Sequence, residues 1–173
     1  DRSVSRGLGD VYKRQLMGYA GIDYDTFENT RLRDVPFEIF EAYKSRLPEL
    51  WKRRAEHYYS EFYRAEKGAE LWRKGDLDGY GQLVFESGKS SIYSYECGCD
   101  ELKKLYDIML DTDGIYGGRF SGAGFKGCCM ALINPDKAED IKEKVNTEYL
   151  KAFPALEGKY SFHLCESADG VEL

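Results

Sequence analysis

Residues 115–133 read Ile-Tyr-Gly-Gly-Arg-Phe-Ser-Gly-Ala-Gly-Phe-Lys-Gly-Cys-Cys-Met-Ala-Leu-Ile, and the reading of this stretch decides the fold. Glycines at 118, 122, 124 and 127 lie between two apolar runs, so the backbone can turn sharply and admit close approach of a ligand or another loop. Gly122-Ala123-Gly124-Phe125-Lys126-Gly127 also satisfies G-x-G-x-x-G. The dinucleotide fingerprint needs a helix directly after the glycines, because the pyrophosphate rests on that helix's N-terminus. Here Cys128 to Ile133 follows and stops at Asn134-Pro135, which reads as a buried strand. The pattern predicts strand, glycine turn, strand, and the Rossmann reading fails. A protein-kinase glycine loop fails too, since no V-A-I-K-like lysine, H-R-D or D-F-G follows. For an isolated glycine cluster, a hairpin bend without a ligand is the plain alternative.

Outward from the hairpin, the pattern is mostly helical. Trp51, Ala55, Tyr58, Phe62, Ala65, Ala69 and Trp72 repeat at alternating spacings of four and three, a single apolar stripe with mixed charges between. Pro48 sits in its first turn and Gly75 is a natural C-cap. Asp76 can cap a second helix with Leu77, Tyr80, Leu83 and Val84 inward, folded back through the tight Lys74-Gly75-Asp76 connection. Asp100 can cap a third, with Leu102, Leu105, Tyr106, Met109 and Leu110 facing the core. Asn134-Pro135-Asp136 opens a fourth along Ala138, Ile141, Val145, Tyr149 and Phe153. A short helix within Arg33–Leu47 is expected to start at Asp34 as N-cap, and Leu16 to Asp25 reads as a helix tail with Gly18 and Gly21 as breakers. Lys159 to Cys165 alternates as a strand, and the end at Gly170 to Leu173 can add a little more. These elements predict an α+β layer, helices on one face of a small antiparallel sheet.

Composition bounds the function classes. A 173-residue chain with 42% hydrophobic and 14% aromatic residues is long enough for one domain with a substantial core. A net charge of −6 argues against a nucleic-acid or anionic-membrane partner. No run approaches the roughly 18 apolar residues of a membrane span, and no secretory pattern is present. Five cysteines without disulfide-framework spacing favour a reducing, cytoplasmic setting. Residues 1–15 lack an initiator methionine and amphipathic period and resemble translated adapter sequence. They are set aside as a non-native leader, with the domain placed at 16–173 and read as part of a longer protein.

Four segments, taken in order, carry a resemblance. Arg53-Arg54-Ala55-Glu56-His57 matches an R-A-x-H helix, and Phe85-Glu86-Ser87-Gly88-Lys89-Ser90-Ser91 matches a segment usually written N-E-S-H-x-S-L. Cys97 to Leu102 stands where the family has C-P-E-L-D, and Gly118 to Cys128 matches a third motif whose galactokinase form is G-A-R-M-T-G-G-G-F-G-G-C. Over 16–173 the chain therefore resembles the C-terminal region of GHMP-superfamily sugar kinases, with galactokinase and galacturonokinase nearest. The resemblance implies a ferredoxin-like arrangement and transfer of the ATP γ-phosphoryl group to a sugar's anomeric hydroxyl, with Mg²⁺. It further implies a role in supporting the substrate and phosphate loop for Gly118, Arg119, Ser121, Gly122, Ala123, Gly124 and Phe125. The family's phosphate loop and catalytic aspartate precede the matched region, so no catalytic residue is named here, and the missing N-terminal domain is an expected partner. Without it, the isolated segment is expected to be inactive.

Two departures, Phe120-Ser121-Gly122-Ala123 for Met-Thr-Gly-Gly and Ser87-Gly88 for Ser-His, lean toward galacturonokinase. Another GHMP small-molecule kinase and a non-catalytic sugar sensor are the alternatives. Cys97-Gly98-Cys99 with Cys128-Cys129, Cys165, His57 and His163 is a poor fit to zinc spacing, so no metal is assigned to them. Arg119 can either reach a phosphate or close a salt bridge, and Ser121 can donate to a phosphate or stabilise the turn. Asp23, Asp25 and Asp34 read as turn or capping residues.

Overall fold

The computed structural model describes residues 12–22 and 32–166. They fall into two compact units, one built from 12–22, 32–67 and 93–96, the other from 68–92 and 97–166.

In the first unit, helix α1 (residues 12–19) runs through Gly18 and ends at Gly21, whose φ is +69°. Residues 12–15, set aside above with the leader, are part of this helix, and Tyr12 packs in its core with Leu16. Asp23 and Asp25 lie outside the described residues. A 3₁₀ turn, Leu32–Asp34, leads to α2 (Phe37–Tyr43). Asp34 is therefore not the N-cap. That place belongs to Pro36, with φ −56° and ψ 144° and no side-chain cap bond. A proline holds the residue before it extended, so a helix cannot run from 34 through Val35. Phe40, Val35, Leu47 and Ala55 complete this core, and Phe40 stacks on Tyr59 at 4.5 Å.

Helix α3 (Glu49–Lys74) begins under the carbonyl of Pro48, which accepts from Trp51 and Lys52 at 2.9 and 3.0 Å. Its predicted stripe is buried only in part. Ala55 is fully enclosed, whereas Phe62, Ala65, Ala69 and Trp72 are exposed. Periodicity sets which residues share a face; burial further needs a neighbour over that face. In the first unit, Phe62, Tyr63, Phe37 and Tyr58 instead line an open groove of about 680 Å³.

The second unit holds the hairpin. Gly75 (φ +71°) ends α3 with a six-to-one bond from Asp76 N–H to Leu71 C=O. Asp76 then caps α4 (Leu77–Tyr93) by accepting from Gly79 N–H at 2.9 Å. Tyr80 folds back edge-on to Trp72, as the tight connection predicts. Helix α5 (Asp100–Leu110) follows, then β1 (Ile115–Phe120), β2 (Cys129–Ile133) and α6 (Ala138–Ala152). β1 and β2 pair antiparallel, with Gly118 opposite Ala131 and Phe120 opposite Cys129. Asn134 accepts from Asp136 N–H and starts the 3₁₀ turn into α6, whose Ile141, Val145 and Tyr149 are buried as expected.

Three expectations are corrected in this unit. The inward face of α4 is Gly81, Phe85, Gly88 and Ile92 with Ser87 and Ser91, not the stripe through Leu77 and Tyr80. A hydrophobicity-weighted reading overlooks this face because its members are small. On α5, Cys99 rather than Asp100 occupies the N-cap, Ile108 is buried against α6, and Leu110 is exposed. Lys159 to Cys165 forms no strand, although Phe162 packs against the α6 cluster and Tyr160 meets Tyr149 edge-on at 5.2 Å. Side-chain alternation supplies packing, but a strand also needs a ladder partner, and the sheet of the described residues ends at two strands. Residues 170–173 lie outside the described set. The α+β class itself stands.

Where α4 crosses β1, backbone meets backbone. A Cβ on Gly81 would lie 2.0 Å from the Tyr116 carbonyl oxygen, and one on Gly117 2.3 Å from the Gly81 oxygen. Gly81→Ala is therefore expected to lower stability by about 1–3 kcal/mol through overpacking. Gly18→Ala, in open space on a helix, should be neutral or stabilising by up to about 1 kcal/mol. Urea unfolding of both variants checks this, and equal stabilities would show that the crossing is looser than described.

Candidate functional site

The glycine hairpin is built on three supports, all within the second unit. The first is Arg119 on β1, whose side chain turns onto α4. Its Nη1 donates to Ser87 Oγ, its Nη2 to Ser91 Oγ at 3.4 Å and its Nε to the Phe120 carbonyl at 3.2 Å. Ser91 in turn donates to the Ser87 carbonyl at 2.9 Å, one helical turn back. Ser87 and Ser91 can reach one guanidinium because they are four residues apart on a helix face. Gly88 between them lets that face close on its neighbours, since a Cβ there would sit 2.6 Å from the Tyr106 ring and 3.2 Å from Arg119 Cβ.

The second support is the Cys97-Gly98-Cys99 segment. Cys99 N–H donates to the Gly124 carbonyl at 2.6 Å. Gly124 has φ +76°, and a Cβ on it would strike the Phe120 ring at 2.6 Å and Gly98 Cα at 2.9 Å. This position needs glycine on both counts. At the start of α5, the Cys99 side chain also hydrogen-bonds Glu101, whose carboxyl is held below its usual range by its own backbone N–H first and by Cys99 second. The third support closes the loop's mouth, Ser121 N–H donating to the Cys128 carbonyl at 2.8 Å.

Between these anchors the chain presents its backbone to solvent. Ser121, Gly122, Ala123, Phe125, Lys126 and Gly127 are exposed, and only Gly124 is buried. Among the described residues, the amide N–H groups of Gly122, Ala123, Phe125, Lys126 and Gly127 donate no hydrogen bond, while residues 122–123 form a tight turn closed at Gly124. A fixed loop with unpaired amides is chemically suited to anionic oxygens. No three His, Cys, Asp or Glu side chains among the described residues are grouped to hold a metal ion, so no Mg²⁺ ligand is assigned in this segment. Nor is any described helix long and apolar enough to cross a membrane.

The structure thus brings together the hairpin, the Ser87–Ser91 segment and the Cys97–Cys99 segment, which the sequence presents as separate motifs. Nothing in the sequence pattern pairs Arg119 with Ser87 and Ser91; the usable signal was two serines spaced i, i+4 around a glycine. In the first unit, the Arg-Ala-Glu-His turn places Ala55 in the core, while Arg53 and Arg54 bond the Glu96 carboxylate at 2.9 and 3.5 Å. Glu96 has φ +63°, the one non-glycine residue in that region among those described. His57 packs on Tyr95 at 5.1 Å.

With this geometry in view, the likeness to known proteins is specific. Residues 69–151 match the family model for the GHMP kinase C-terminal domain. This chain carries a GHMP kinase C-terminal domain. Galacturonokinase from Arabidopsis thaliana is 44% identical over 146 residues, covering 82% of this chain and 34% of that protein. Galactokinase from Bos taurus is 32% identical over 142 residues, again 82% and 34%. In fold, the chain superposes on the crystal structure of Lactococcus lactis galactokinase complexed with galactose, with a TM-score of 0.74 at 24% identity, over 89% of this chain and 38% of that one. The chain therefore spans about a third of the length of these relatives.

The cysteines flanking the loop offer a direct check on its geometry. Cys128 and Cys165 are exposed, whereas burial pushes the Cys129 thiol up to about 12, with Cys128 and Cys99 adding to it. At pH 8 its thiolate fraction is about 10⁻⁴. Iodoacetamide is expected to label Cys128 and Cys165 at least about 100-fold faster than Cys129, read by peptide mass spectrometry. Equal rates at Cys128 and Cys129 would contradict the burial of the Cys129 thiol.

Proposed function

We propose that this chain is the C-terminal part of a sugar 1-kinase that transfers the γ-phosphoryl group of ATP, with Mg²⁺, to the anomeric hydroxyl of galactose or galacturonate. It acts in the cytoplasm, and its partner is an N-terminal domain that holds the phosphate loop and the catalytic aspartate. The observation carrying this reading is the convergence of three motif segments on one braced hairpin, in a chain 44% identical to a galacturonokinase. Phosphoryl transfer depends chiefly on positioning and on neutralising charge spread over the phosphate oxygens. A loop of unpaired amides, held by Arg119 and Cys99, suits that task without proton chemistry. In this reading Gly118 and Arg119 are the loop's footing, Gly124 its fixed centre, and Ser121, Gly122, Ala123 and Phe125 its substrate-facing rim. Arg119 acts through the serines of α4 and is a positioning residue.

By itself the 173-residue chain is expected to show no turnover of galactose or galacturonate with Mg²⁺ and ATP. Joining residues 16–173 to the N-terminal two thirds of the Arabidopsis relative should yield a sugar 1-phosphate, detected by ³¹P NMR. A soluble, folded fusion that makes no anomeric phosphate would overturn the reading, as would turnover by the isolated chain.

A further inference from the structure

The two edges of the hairpin's sheet differ. Ser121 N–H donates to the Cys128 carbonyl and Asn134 N–H to the Gly114 carbonyl, so the ladder joining β2 to β1 is fixed at both ends. In an antiparallel pair, successive residues turn their main-chain groups alternately toward the partner strand and away from it. Cys128, Met130, Leu132 and Asn134 therefore face β1, and Cys129, Ala131 and Ile133 face outward. Among the described residues, no backbone N–H or C=O of these three is hydrogen-bonded outside the ladder. On β1, by contrast, the Phe120 carbonyl accepts from Arg119 Nε at 3.2 Å, and the Tyr116 carbonyl abuts Gly81 of α4. The sheet is closed on the α4 side and open along β2.

Open edges are normally blunted by charge, proline or a bulge, because their free donors and acceptors recruit another strand. Cys129-Met130-Ala131-Leu132-Ile133 carries no charge and no proline, and the irregularity of the sheet lies on β1, between Ile115 and Gly117. A second segment of this unit also lacks a ladder. Phe162 packs on the α6 cluster that receives Ile133, and Lys159 to Cys165 alternates as a strand does. Yet no main-chain group from Tyr160 to Cys165 is bonded among the described residues. One further strand would answer both needs. The chain spans 34% of the Arabidopsis relative, so most of a protein of that kind lies outside these residues.

We propose that an extended segment from the upstream part of the longer protein adds to β2 as a third strand, its main chain pairing with Cys129, Ala131 and Ile133. The proposal rests on the reading that this chain is the C-terminal part of such a protein. Main-chain bonds give this docking its geometry, and the side chains of the added strand alternate between its two faces. Its apolar face lies on the side where Cys129 and Ile133 already pack against the helices.

Hydrogen exchange at single-amide resolution tests this by comparing the 173-residue chain with its fusion to the N-terminal two thirds of the Arabidopsis relative. In the isolated chain, Met130 and Leu132 should be protected, and Cys129, Ala131 and Ile133 should exchange at least about 100-fold faster, since an amide bonded only to water needs no opening step. In the fusion, those three should slow by at least about 100-fold. Slow exchange of the three in the isolated chain overturns the proposal, because the edge is then already filled. If that slowing grows with concentration alongside a dimer in analytical ultracentrifugation, the occupant is a second copy. Fast exchange of the three in a fusion whose Met130 and Leu132 stay slow also overturns it, even where the fusion makes a sugar 1-phosphate. Protection without phosphate transfer supports the added strand and overturns the kinase reading alone.

Discussion

The close crossing of α4 over β1 is the constraint on which the rest of the second unit depends. Helices normally rest on sheets through their side chains, but here Gly81 and Gly117 bring main chain against main chain. That approach puts Ser87 and Ser91 within reach of Arg119, so the outgoing strand is fastened to the helix by hydrogen bonds as well as by packing. Phe120, almost fully buried, then plugs the cluster formed by Phe85, Ile92, Leu102, Tyr106 and Met109. The turn that follows inherits its direction from this base. Its centre is pinned again where Gly124 lies against Gly98.

Such bracing explains how a glycine-rich loop can present donors without collapsing on itself. Left alone, a segment of this composition would lose much conformational entropy on ordering. Here that loss is offset largely outside the loop, by the Arg119–serine contacts, the Cys99–Gly124 bond and the Ser121–Cys128 closure. The amides of Gly122, Ala123, Phe125, Lys126 and Gly127 are left without a partner among the described residues. The first unit shows a comparable economy on a smaller scale. Two arginines of one helix hold Glu96 in a left-handed conformation that costs about 1–2 kcal/mol in a non-glycine residue.

Much of this was legible from local chemistry. The hairpin, the Gly75 C-cap, the Asp76 N-cap and the Asn134 start of α6 all followed from residues whose backbone preferences are strong and short-ranged. The role given to that hairpin rests on the family resemblance, and its bracing by Arg119 and Cys99 is what the structure adds. Less legible were the faces. On α4 the apolar residues drew attention to Leu77 and Tyr80, whereas the helix buries glycines and serines. On α3 the stripe was real, but Phe62 and Trp72 remain about half exposed. Along Lys159 to Cys165 the alternation was real too, yet among the described residues no third strand offers its main chain.

By itself, the sequence determined the order and type of most elements and the position of the turn, because caps, proline and glycine restrict φ and ψ at their own positions; its motifs, by resemblance, pointed to the kinase family. Tertiary structure alone decided which helix face is inside, which strand finds a partner and what Arg119 bonds. Those outcomes depend on where distant segments lie, and a guanidinium that could as well have met a carboxylate or a phosphate is committed to two serine hydroxyls only because two glycines let a helix settle onto the strand.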